Sequence, residues 1–156
     1  MTNPTIVPTK YAADDGDYNI AKVDRSGALR VEQNSVTIPA ATASGVVVGI
    51  VPFRKGAKFV FGASKLYVSD LDTGTDVTMD IGFVYSDAVT YTSDPNAFAS
   101  ALTTAQTGGL IVFDEHAGLT FIAEADGWIA FTLGGGQPTT TEGVIKGQVV
   151  LAYDGV

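Results

Sequence analysis

From Val77 to Tyr85 the chain alternates without a break. Val77, Met79, Ile81, Phe83 and Tyr85 fall on one face, and Thr78, Asp80, Gly82 and Val84 on the other. A period of two sustained this long is the pattern of a half-buried β-strand, because successive strand side chains point to opposite faces. Shorter apolar or alternating runs at 36–38, 46–51, 57–61, 65–69, 110–114, 119–124, 128–133 and 144–153 predict further strands. Gly, Pro, Asp and Thr punctuate the intervals between them. Many short strands with Gly-rich turns predict an all-β fold, a β-sandwich or jelly-roll-like domain.

Three local features refine that expectation. Asp126-Gly127 predicts a tight hairpin turn between residues 119–125 and 128–133, since primed turns favour Asp-Gly. Gly134-Gly135-Gly136-Gln137-Pro138 predicts a loop that no strand crosses. Ser93-Asp94-Pro95 followed by Phe98, Ala101, Leu102 and Ala105 at three-to-four spacing predicts one short helix, stopped at Gly108.

The first part of the chain reads differently. Residues 1–18 hold Pro4, Pro8 and the acidic run Asp14-Asp15-Gly16-Asp17, with little periodicity, which predicts an extended arm. From Tyr18 to Glu32 alternation resumes around Ser26-Gly27, a small hairpin that needs a surface to lie on. The expected organisation is an arm with its hairpin over 1–34 and a β-sandwich domain over 35–156. A chain of 156 residues is long enough for one such core.

Charge is distributed unevenly. Residues 1–65 carry eight basic and five acidic groups, and residues 66–156 carry one basic and twelve acidic groups, giving +3 and −11 and the overall −8. A mildly cationic front and an anionic back suggest docking at one end and solvation at the other. The acidic balance argues against nucleic acid as a partner. The longest apolar stretch, residues 46–53, is broken by Gly49 and Pro52 and falls far short of the roughly 20 residues a membrane helix needs, so no membrane partner is expected. The polar start, Met1-Thr2-Asn3-Pro4-Thr5, lacks the basic and apolar regions of a secretory signal. Cysteine is absent, which removes disulfides, thiolate metal sites and thiol nucleophiles.

No catalytic set stands out. His116, the single histidine, lies among Asp114, Glu115 and Gly118 and reads as a turn residue, with no Gly-x-Ser-x-Gly elbow to partner it. Glu124 and Asp126 offer paired carboxylates, but at a turn where acids are expected and beside a single aromatic, Trp128. Asp70, Asp72 and Asp76 are the calcium candidates. Their spacing departs from the EF-hand pattern, with Gly74 at its fifth position and Ile81 at its twelfth, so a solvated loop is the simpler reading. Asp14-Asp15-Gly16-Asp17 sits in an arm that cannot preorganise ligands. The glycine run at 134–136 has no following Lys-Ser or Lys-Thr for phosphate. Arg54, Lys55 and Lys58, flanked by Phe53 and Phe59, form the one basic cluster, too small for a phosphate track and suited to a protein contact. No cofactor and no enzymatic activity are expected.

The phrase Tyr18-Asn19-Ile20-Ala21-Lys22-Val23-Asp24-Arg25-Ser26-Gly27-Ala28-Leu29-Arg30-Val31, with the Ala/Thr/Gly/Val-rich β body after it, resembles the capsid decoration (cement) proteins of tailed bacteriophages. The resemblance implies a structural virion protein, made in the host cytoplasm, that binds the outer capsid surface and stabilises the major capsid protein lattice. It implies self-association, expected as a homotrimer, and an arm reaching across capsid subunits. Lys10, Tyr18, Lys22, Arg25, Arg30, Arg54, Lys55 and Lys58 are then the capsid-contact candidates. A tail or head-fibre adhesin domain that binds a host glycan is the alternative. Exposed loop aromatics and calcium at Asp70 to Asp76 would favour it.

Overall fold

The computed structural model describes residues 6, 29–113, 115–135 and 141–153. Nine strands run in order: β1 (Leu29–Ile38), β2 (Val47–Phe53), β3 (Ala57–Phe59), β4 (Lys65–Val68), β5 (Val77–Tyr85), β6 (Asp94–Leu102), β7 (Gly109–Leu110), β8 (Gly127–Gly135) and β9 (Gly143–Tyr153). Three short 3-10 turns, Phe61–Ala63, Thr104–Gln106 and His116–Thr120, are the helical elements among the described residues. The fold is an all-β sandwich of two antiparallel sheets. One sheet has the order β1-β9-β4-β7, with β3 also on β9; the other has β2-β8-β5-β6. Leaving β3 aside, the pairs β1 with β9, β2 with β8, β4 with β7 and β5 with β6 nest inside one another. This is the doubled-ribbon winding of a jelly-roll-like domain.

The alternation of β5 puts Val77, Met79, Ile81 and Tyr85 in the core. β9 supplies Ile145, Val149 and Leu151, and β8 supplies Ile129, Phe131 and Leu133. Aromatic rings concentrate in one region: every phenylalanine but Phe131 joins a set of edge-to-face and stacked contacts, with Phe98 against Phe59 at 4.4 Å and Phe83 against Phe121 at 4.4 Å. Such contacts add to the area these rings bury. A second small cluster, Val84, Trp128 and Ala130, packs on the opposite side of the four-stranded sheet from the main core.

Several expectations change once pairing is known. The expected helix over 93–108 is instead the strand β6, followed by one 3-10 turn. Ser93 does not cap a helix: its Oγ accepts the N–H of Tyr85 at 2.9 Å. Sheet pairing with β5 and burial of Ala97, Phe98 and Ala99 outweigh the helical spacing. The ladder is irregular, because Ile81 to Phe83 on β5 faces Ala99 to Asp94 on β6, and a Cβ on Gly82 would lie 2.1 Å from the Asp94 carbonyl oxygen. Residues 119–124 form no strand. Phe121 and Ala123 are buried as the alternation requires, but the region builds no ladder: Ala123 alone bonds to the start of β3, its N–H donating to Ala57 O and its carbonyl accepting the Gly56 N–H. Asp126-Gly127 is therefore no hairpin turn, and Gly127 opens β8 opposite Phe53 and Tyr85.

Two boundaries also move. β8 runs on through Gly134 and Gly135, paired with Thr78 and Val77, where Gly135 takes φ +98°. Of the expected strand 110–114, Leu110 is in a strand, β7, residues 111–113 are in none, and Asp114 lies outside the described residues. Residues 18–28 of the expected hairpin lie outside the described residues. Leu29 to Glu32 belong to β1, which pairs with β9 from Leu29 to Ile38 without a break at 34/35. Ile6 forms a parallel bridge to Val48, its carbonyl accepting the Gly49 N–H at 2.8 Å, and packs against the main core. This bridge lies on β2, an edge strand whose Pro52 is tolerated because it is at the sheet margin.

Candidate functional site

Of the described cationic candidates, Arg54, Lys55 and Lys58 gather near the C-terminal end of β9, and Arg30 lies close by in register but on the opposite, inward face of the sheet. Arg30 on β1 faces Leu151, and Lys58 on β3 faces Ala152. Arg54 and Lys55 occupy the turn between β2 and β3, which Gly56 closes at φ +85°. Tyr153 organises the group. Its hydroxyl accepts the Arg54 N–H at 3.3 Å and lies near the Arg30 guanidinium. Burial pushes the Tyr153 phenol up, opposed by these donors. Arg30 also donates from Nε to Glu32 Oε1 at 2.6 Å. Asp126 Oδ1 accepts the Lys55 N–H at 2.9 Å, and its carbonyl accepts the Ser86 N–H, which ties this turn to the end of β5. Arg54, Lys55 and Lys58 thus form one small basic region at a sheet end, while Arg30 lies on the inward face of the sheet and is paired with Glu32. Lys10, Tyr18, Lys22 and Arg25 lie outside the described residues.

The acidic loop does different work. The Asp72 carboxylate is buried and accepts the backbone N–H groups of Gly74 (3.0 Å), Asp76 (2.8 Å) and Val77 (2.9 Å), while Asp70 Oδ1 accepts the Asp72 N–H at 3.0 Å. Asp72 is an internal acceptor that shapes the entry to β5. Among the described residues no group of three or more His, Asp or Glu is placed to hold a metal ion. His116 is exposed at the start of its 3-10 turn. Glu124 is exposed, and its N–H donates to the Tyr85 hydroxyl at 3.0 Å.

Sequence reading missed a second surface. Register places Leu29, Val31, Gln33, Val144, Lys146, Gln148, Lys65, Tyr67 and Leu110 on the outward face of the five-stranded sheet. Lys65 and Lys146 belong to strands far apart in sequence, and the pairing of β4 with β9, Lys65 opposite Gln148 and Tyr67 opposite Lys146, joins them, while β7 adds Leu110 beside Tyr67. The alternation of β1 and β4 was the available signal, but it does not name the neighbouring strand.

No protein-family model and no curated protein matches this sequence. Similar solved structures do exist. A chain of the capsid of Ralstonia phage GP4 is 20% identical, with TM-score 0.65 over 85% of this chain and 88% of that one. A chain of the cyanophage Pam1 capsid asymmetric unit is 17% identical, with TM-score 0.59 over 82% of this chain and 86% of that one. The jelly-roll-like sandwich is a fold shared with chains of two phage capsids. No helix among the described residues is long and apolar enough to cross a membrane.

Proposed function

We propose that this chain is a structural virion protein that binds the outside of a tailed-phage capsid and stabilises the major capsid protein lattice, acting by binding and without turnover. The observation that carries this reading is the shared fold, which extends over most of this chain and most of each phage capsid chain. The basic end near Tyr153 supports it, because Arg54, Lys55 and Lys58 are held on a tight turn and a paired strand, preorganised for an acidic protein surface. The bridge from Ile6 to β2 supports an N-terminal segment that engages sheet edges through backbone hydrogen bonds, the mode by which extended segments add to a neighbour's sheet. Repetition of modest contacts over a symmetric shell makes the attachment strong. The protein is a self-associating oligomer in this reading, with a trimer of three 16.2 kDa chains expected.

Capsid rupture tests the proposal. Empty, expanded capsids of the phage that encodes this chain are heated with and without the purified protein, and DNA-free shell disassembly is followed by light scattering. Raised rupture temperature with co-sedimentation of the protein is the expected result. Capsids that neither bind the protein nor gain stability contradict it.

A further inference from the structure

Two exposed depressions of opposite charge, one mostly apolar and one mostly polar, lie on different parts of the sandwich. The first is the outward face of the five-stranded sheet, where a shallow groove of about 430 Å³ runs between Lys65, Tyr67, Leu110, Lys146 and Gln148. Leu110 is 68% exposed and Tyr67 43%. No acidic side chain lines this groove. The second is a cleft of about 460 Å³ between the end of β5, the start of β6 and the segment after His116–Thr120. Tyr91, Asp94, Ile122 and Glu124 line it, Ile122 is 54% exposed, and no Lys or Arg is present.

The patches cannot satisfy each other within one chain. The first faces outward from one sheet, and the second is built on strands of the other. Each carries charge of one sign beside exposed apolar side chains, Leu110 and Tyr67 in the first and Ile122 in the second, and the signs are complementary. We infer that they meet between copies, so that the Lys65/Lys146 face of one molecule covers the Tyr91/Ile122 cleft of the next, with Lys65 and Lys146 set against Asp94 and Glu124. The chain's net charge of −8 opposes encounters between like-charged surfaces of two copies, and the Lys65/Lys146 face is the cationic surface that also exposes apolar side chains, Tyr67 and Leu110, to cover the cleft. Because the two surfaces differ, the contact is head-to-tail, and repetition through a closing rotation produces a ring. The inference rests on the reading of this chain as self-associating and is independent of what the oligomer binds.

Charge reversal in two places tests it. Light scattering over a concentration series gives the association midpoint of the wild-type chain, of Lys65→Glu/Lys146→Glu and of Asp94→Lys/Glu124→Lys. Each double variant is expected to associate roughly tenfold or more weakly, since like charges then face each other. An equimolar mixture of the two variants is expected to recover association, because each brings the surface the other lacks. Asp94 Oδ1 also accepts the Asn96 N–H, so Ile122→Lys/Glu124→Lys serves in its place if Asp94→Lys disturbs folding. A wild-type oligomer whose midpoint is unmoved by either reversal overturns this contact while self-association stands. A wild-type chain that is monomeric throughout overturns both.

Discussion

Three backbone N–H groups converge on the Asp72 carboxylate, and the ordering of the 70–77 loop depends on them. Replacing Asp72 with Ala removes the charged acceptor from all three donors, of which the Val77 N–H lies at a buried residue. Hydrogen bonds to charged groups contribute about 1.5–3 kcal/mol each, and their losses overlap, so Asp72→Ala is expected to cost about 3 kcal/mol in urea unfolding. Millimolar calcium is expected to leave the wild-type melting temperature unchanged, which differential scanning fluorimetry checks directly. Tyrosine titration gives a second expectation. Burial raises the phenol pKa of both Tyr85 and Tyr153 above its ordinary value, so their neutral forms are favoured by folding. The stabilisation is fully present below about pH 10 and is lost as pH rises through the raised folded-state values. Tyr153→Phe is therefore expected to flatten the fall in stability above about pH 10, measured by urea midpoints across alkaline buffers. The acidic spacing at 70–76 was visible in the sequence, but the direction of its carboxylates was not. A carboxylate in an Asp-rich loop can accept from its own backbone or from a cation, and spacing alone does not separate the two.

Strands were legible where one face is buried against a regular partner. Val77–Tyr85 matches the alternation because β5 pairs with β8 residue for residue through all nine positions. The segment 93–107 was misread because Ala and Phe at helical spacing also suit an edge strand with bulges, and only its pairing with β5 decides. The 119–125 segment kept its alternation of buried and exposed residues but lacked a strand to pair with. The close crossing of β5 and β6 makes its own prediction. A methyl at position 82 meets the Asp94 and Pro95 backbone, so Gly82→Ala is expected to destabilise by about 1–3 kcal/mol in chemical unfolding. Phe98→Ala opens the aromatic region between Phe59, Phe61 and Phe121 and is expected to cost about 3–5 kcal/mol.

For the molecule as a whole, the early excess of basic residues was legible, and the fold gives it a shape. Arg54, Lys55 and Lys58 gather near one end of β9, Arg30 is turned to the inward face beside Glu32, and Lys65 and Lys146 stand further along the outward face of the same sheet. Which strands neighbour one another depends on long-range pairing, so the sequence suggested a sandwich without revealing either surface. The capsid reading turns on how many copies a virion carries and where. On the proposed reading a phage encodes this chain, and the most direct measurement is quantitative mass spectrometry of density-purified virions of that phage. A copy number in fixed, high proportion to the major capsid protein, unchanged in tail-less heads, is the predicted result. A few copies per particle that vanish with the tail, or none at all, would contradict the account.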